Sequence, residues 1–210
     1  MVISQDIIKK KTILGIYASS AFGAIVGIIV SSIAGAFVYL VKTLSDIELF
    51  GEYRFFNIGK FNIDVQVVAL INLAALLILL VRYYFNIKKW NGPADSIYAA
   101  HQEAKKLDTK VGFASTLAAF ISASGNASVG QYGPLAHFGA TTGTALKRFF
   151  KINIRTDIVI GCGVAAAISA GFGAPIAGII FAHEAILRHY SPSAMAPIAT
   201  SAIVAATMEN

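Results

Sequence analysis

Long stretches without a single charge constrain this chain more than any other feature. No Asp, Glu, Lys or Arg occurs from Thr12 to Val41, from Val65 to Val81, from Val111 to Leu146, from Ile158 to His183, or from His189 to Met208. A helix needs about 20 mostly apolar residues to cross a bilayer, and most of these windows reach or exceed that length. In lipid each backbone N–H and C=O must be satisfied within the protein, so the windows predict helices. Breaks are tolerated only where protein or water covers them. The composition agrees: 56% of residues are apolar and 13% charged, where a soluble domain carries about 25% charged residues.

The net charge of +6 does not point to nucleic acid, because the basic residues sit between the apolar windows, as loop charges do in a membrane protein. Lys9, Lys10 and Lys11 precede the first window. The linker 42–64 is balanced, with three basic and four acidic residues, and the linker 82–110 carries six and three. The positive-inside rule therefore predicts that residues 1–11 form a short cytoplasmic segment, that 82–110 is also cytoplasmic and that 42–64 faces out. The expected location is the cell (inner) membrane, multi-pass. The first apolar run, about 30 residues from Thr12, is too long for a signal peptide and predicts a retained helix. Cys162 is the only cysteine, so no internal disulfide forms. No cofactor or metal is expected.

Helices are predicted over 12–43, with a Gly23/Gly27 pair suited to close helix approach, over 64–86, and over 94–107 as a short polar helix containing His101, Glu103, Lys105 and Lys106. From Val111 the apolar run is interrupted by Ser122 to Pro134, rich in small residues and breakers, which predicts two discontinuous helices, the second from Pro134 to Phe150. The pattern repeats at Gly171-Phe-Gly-Ala-Pro175, and a last helix covers 193–208. Residues 1–210 read as one transmembrane domain.

Helices that begin inside a membrane present unpaired N–H groups and a positive dipole end, which attract anions. Gly92-Pro93 and Gly133-Pro134 are two such starts; the alternative is a kink that packs against a neighbour.

The motifs around these starts carry a resemblance. Gly130-Gln131-Tyr132-Gly133-Pro134 resembles the GREGP motif of the CLC chloride channels and transporters. Gly139 and Gly143 follow at similar spacing. Gly173-Ala-Pro-Ile-Ala-Gly-Ile-Ile-Phe181 is similar to that family's NAPLAGILF segment, with Glu184 on the first acid of its EE pair. Asn91-Gly92-Pro93 stands loosely at its GSGIP motif. The resemblance implies an all-α integral membrane fold, a CLC-like bundle of tilted, discontinuous helices corresponding to the first of two inverted repeats. It also implies a chloride or other small-anion pathway, a homodimer, and a second-half CLC repeat, on this or another polypeptide, to complete the pore. It places the anion pathway at Gly92, Gln131, Tyr132 and Gly133.

The departures shape the expected function. Tyr132 replaces the gating glutamate, and a phenol with a pKa near 10 stays neutral at pH 7. Gln131 replaces an arginine, Ala185 the second acid of the EE pair, and Gly92 a serine. Uncoupled anion permeation is therefore expected over chloride/proton exchange; a non-conducting structural or regulatory subunit is the other alternative. His137, four residues past Gly133, is a candidate pH-sensing group or a packed interhelical contact. Glu184 is a candidate gating acid or the partner of Arg188 in an i,i+4 pair, and His183 beside it is weighed in the same way. Enzymes are not expected. His183-Glu184 lacks the second histidine of HExxH, since Leu187 stands there, and Ser124-Gly125 lacks the glycine that precedes a membrane-protease serine.

Overall fold

The structure, a computed structural model, describes residues 2–49, 51, 55–58, 61–102 and 107–209. These residues form α1 (Val2–Ser45), a hairpin of β1 (Phe55–Ile58) and β2 (Phe61–Asp64), α2 (Val65–Phe85), α3 (Pro93–His101) and α4 (Thr109–Ser124). They continue as α5 (Tyr132–Phe150), α6 (Thr156–Phe172), α7 (Pro175–Phe181) running into a π-helical turn (Ala182–Leu187), and α8 (Pro192–Glu209). The architecture is the expected all-α bundle. The Ile13–Ser45 part of α1 and the whole of α2 are long and apolar enough to cross a membrane. α2 exposes Leu73, Leu76, Leu79 and Leu80, as a lipid-facing helix does.

α6 is the centre of the bundle, with every residue from Asp157 to Ala170 buried. Its composition explains this place: Gly161, Gly163 and Ala165 to Ala167 let neighbouring backbones approach, and close van der Waals packing is what holds helices together in lipid. α5, α8 and α1 pack around it. Gly139 of α5 and Gly163 of α6 face each other so closely that a Cβ on either would collide with the other's carbonyl. α1 packs along α8 in the same way. Gly23 lies against the Pro197 backbone, and a Cβ on Gly27 would stand 2.7 Å from the Ser201 carbonyl oxygen. The Gly23/Gly27 pair thus serves the close approach its spacing predicts.

Three boundaries and one linker differ from expectation. α1 begins at Val2 without a break at residue 11. α3 ends at His101, where Gln102 turns to extended backbone; Glu103, Lys105 and Lys106, expected on this helix, lie outside the described residues. α5 begins at Tyr132 rather than Pro134, since proline is compatible with a first turn, so Tyr132 and Gly133 are inside the helix start. The linker 42–64 contains an antiparallel hairpin with Phe55 opposite Asp64 and Ile58 opposite Phe61. Gln66 pins this connection to the bundle: its amide donates to Ile47 O at 2.6 Å and accepts from Leu49 N at 2.8 Å.

Candidate anion site

The breaks before α5 and α7 bring helix starts together inside the bundle. At α5, the first intrahelical bond runs from Leu135 N to Gln131 O at 3.1 Å. The N–H groups of Tyr132 and Gly133 therefore precede any intrahelical acceptor, and Pro134 has none to place. At α7 the chain leaves α6 through Gly173, whose φ of +61° lies in the left-handed region that favours glycine. Ala174 N then bonds back to Ser169 O at 3.2 Å and Gly178 N to Ala174 O at 3.1 Å. Ile176 and Ala177 are thus left at the start of α7 in the same state as Tyr132 and Gly133.

These two starts border one cavity of about 650 Å³, lined by Pro93, Tyr132, Gly133, Ala136, Ile168, Phe172, Ala174, Ala177 and Phe181. None of these residues is charged. In such a site the positive ends of α5 and α7 are the groups that an anion can meet. The Tyr132 ring stacks on Phe172 at 4.1 Å between centroids and 25° between planes. Gly171 provides the room: a Cβ there would come within 3.0 Å of the Tyr132 ring.

The third start, that of α3, is differently made. Pro93 lines the cavity and stands next to Gly133, 3.5 Å from where a Cβ on Gly133 would be. The Gly92 N–H, however, is bonded to Asp95 Oδ2 at 2.9 Å, and Asp95 lies 3.8 Å from the Lys89 ammonium. The helix thus carries its own carboxylate at its positive end. Gly92 lines a second cavity on the far side of Pro93, together with Asn91, Ser115, Thr116, Pro134 and His137. α5 is the shared wall: Tyr132, Gly133 and Ala136 face one cavity and Pro134 and His137 the other.

Of the residues singled out in the sequence, Tyr132 and Gly133 meet in one cavity, Gly92 and His137 in the other, and Gln131 lines neither. Glu184 lines neither. The expected Glu184–Arg188 pair is not formed, because the π-helical turn and the left-handed Arg188 (φ 56°) break the i,i+4 register. Glu184 instead accepts a hydrogen bond from the Tyr190 hydroxyl at 3.1 Å. The Tyr190 phenol is pushed above its ordinary value by desolvation, and further by that bond and the carboxylate charge. His183 is buried, stacked on Tyr190 at 4.9 Å, with Nδ1 3.1 Å from His189 O. The start of α7 was not among the sequence candidates, although Gly173-Ala-Pro175 carries the same Gly/Pro signal that marked the other two.

A family model described as voltage gated chloride channel matches residues 73–210, which contain both cavities and every helix from α3 onward. The chain belongs to this family. The family model begins within α2, so the long α1 and the hairpin precede the matched region. Among curated relatives, the voltage-gated ClC-type chloride channels ClcB of Escherichia coli and of Shigella boydii are each 25% identical over 142 residues, covering 68% of this chain and 34% of theirs. The chain thus spans about a third of the length of these relatives. Family membership and the apolar helices together identify a membrane protein.

Proposed function

We propose that this chain forms one half of an anion pathway that conducts chloride without moving protons, completed by a second CLC repeat on this or another polypeptide. The reading is supported most by the convergence of the α5 and α7 starts on one uncharged cavity, with the neutral phenol of Tyr132 where a gating acid is expected. The pathway is centred on Tyr132 and Gly133. Gln131 shapes the start of α5 from outside the cavity, and Gly92 stands behind Pro93 with its N–H already bonded. Proton exchange lacks its groups here: Tyr132 and Ala185 stand at the two acid positions. The N-terminus and the 82–110 linker face the cytoplasm of the inner membrane, and the whole assembles as a homodimer.

Purified chain reconstituted with a second repeat in chloride-loaded liposomes is expected to release chloride when a potassium ionophore balances charge, with no change in internal pH. Chloride efflux accompanied by proton uptake would overturn the uncoupled reading in favour of an exchanger. A second reading, a non-conducting structural subunit, draws on the Tyr132–Phe172 stack beside the helix starts. Absence of efflux from liposomes in which both halves co-purify would decide for it.

A further inference from the structure

His137 is not explained by the pathway. It is 1% exposed, and its Nδ1 shares a hydrogen bond with Ser96 Oγ at 2.7 Å, joining α5 to α3. Its Nε2 is buried and has no hydrogen-bond partner among the described residues. Leaving such a group unmet is costly, and an ionisable side chain within a membrane bundle is a functional candidate when its partners can be named. The ring forms part of the wall of the second cavity, which has a volume of about 280 Å³. Several waters fit that space at about 30 Å³ each. The wall offers them polar contacts: Ser115 Oγ accepts from Asn91 N at 3.0 Å and keeps its own proton to donate, Ser122 lines the same cavity, and Thr116 Oγ1, which donates to Gly112 O at 3.1 Å, can still accept.

The charges around the imidazole are few. Asp95 of α3 is the charged side chain that acts on it, and Asp95 is in turn paired with Lys89. From α4 the facing residues are Ser115 and Thr116. α6 meets the neighbouring Gly139 and Gly143 of α5 through Gly163, Ala167 and Val159, from α2 Ile78 lines the cavity, and α1 has no charge between Thr12 and Val41. His101, at the other end of α3, is exposed and bonded to Ile97 O at 2.9 Å.

We propose that His137 is a proton-binding site served by water in this second cavity, and that a proton there strengthens the binding of an anion at the starts of α5 and α7. The inference rests on the anion-site reading above. Asp95 places a negative charge at the start of α3, two residues from Pro93 of the anion cavity, and opposes an anion. An imidazolium on the opposite face of the same first turns of α5 offsets that field. His137 is four residues from Gly133, about 6 Å along the helix axis, within the reach of a charge in a site of low dielectric. The Ser96 hydroxyl can accept from a protonated ring by rotating, so α3 and α5 stay joined in both states. Among the described residues the charged side chains near the ring are Asp95 and its partner Lys89, so the proton modulates the anion site rather than passing along a relay.

Binding linkage is reciprocal, so the same coupling is read from either ligand. The full chain, labelled with ¹⁵N-histidine and reconstituted with a second repeat in lipid bilayers, is titrated with acid in chloride and in gluconate. Chloride binding is followed in parallel by ³⁵Cl line broadening. The His137 resonance is assigned by its loss in His137→Gln. Ser96→Ala keeps the ring and removes its bonded partner, and it moves the same resonance should the first variant fail to fold. The expected result is a His137 midpoint about one pH unit higher in chloride, matched by about tenfold tighter chloride binding on the acid side. Chloride binding that is independent of pH, with an unmoved His137 midpoint, overturns this inference and leaves the anion site standing. Absence of chloride binding at every pH overturns both.

Discussion

Tyr132 stands at a helix start, where a side chain's charge matters more than its size. As a phenol it adds no charge, and its ring is held on Phe172 over the space that Gly171 leaves. Tyr132→Glu puts a carboxylate beside the positive end of α5, where it competes with the anion. Chloride flux at pH 7 is expected to fall several-fold and to recover as pH drops through and below about 4, where a glutamate gains its proton. A helix start favours the charged form, so recovery lies at or below the ordinary glutamate range. Stopped-flow efflux from liposomes at stepped pH checks this. Tyr132 and Gly133 were legible because Gly-Pro marks a helix start in any context. Phe172 and Ile168 were not: an apolar residue in an apolar helix carries no sign of which cavity it lines. Asp95 was visible only as a linker charge, and its bond to Gly92 N–H depends on the turn that α3 makes.

At the scale of elements, helix identity follows from charge-free length, whereas helix contact follows from where side chains are missing. Gly139 and Gly163 make the α5–α6 crossing, which in turn places the α5 start against the cavity. Gly163→Ala is expected to force these backbones apart and to cost about 1–3 kcal/mol. Gly15→Ala, with nothing within 4 Å of the added carbon, should be neutral or stabilise by up to about 1 kcal/mol. Thermal unfolding of both variants in detergent measures the contrast. The Gly23/Gly27 spacing announced a close packing but not its partner, since any helix can fill such a groove; α8 does so here. The hairpin at 55–64 is not legible in the sequence because its two strands of four residues lie inside a charged linker, and its exposed Phe55 and Phe56 mark no buried face.

For the molecule as a whole, Phe172 of the anion cavity is 56% exposed, and α7, which supplies Ala177 and Phe181 to that cavity, leaves Ile176 72% and Ile180 45% exposed. A second repeat seated there would close the cavity. Ile176→Trp is expected to reduce co-purification with a tagged second repeat while leaving the helical circular dichroism of the chain unchanged; undiminished co-purification would place that repeat elsewhere. Membrane embedding and the helix inventory were determined by the sequence alone, because the absence of charge over 20 residues has few other solutions and Gly/Pro breaks act locally. The family resemblance was also carried by local motifs. Only the tertiary structure decided that α5 and α7 share one cavity, that α3 turns its carboxylate onto its own start, and that His137 belongs to a different cavity from Tyr132. Those facts depend on how α6 orients its neighbours through contacts between residues far apart in the chain, and no local pattern encodes them.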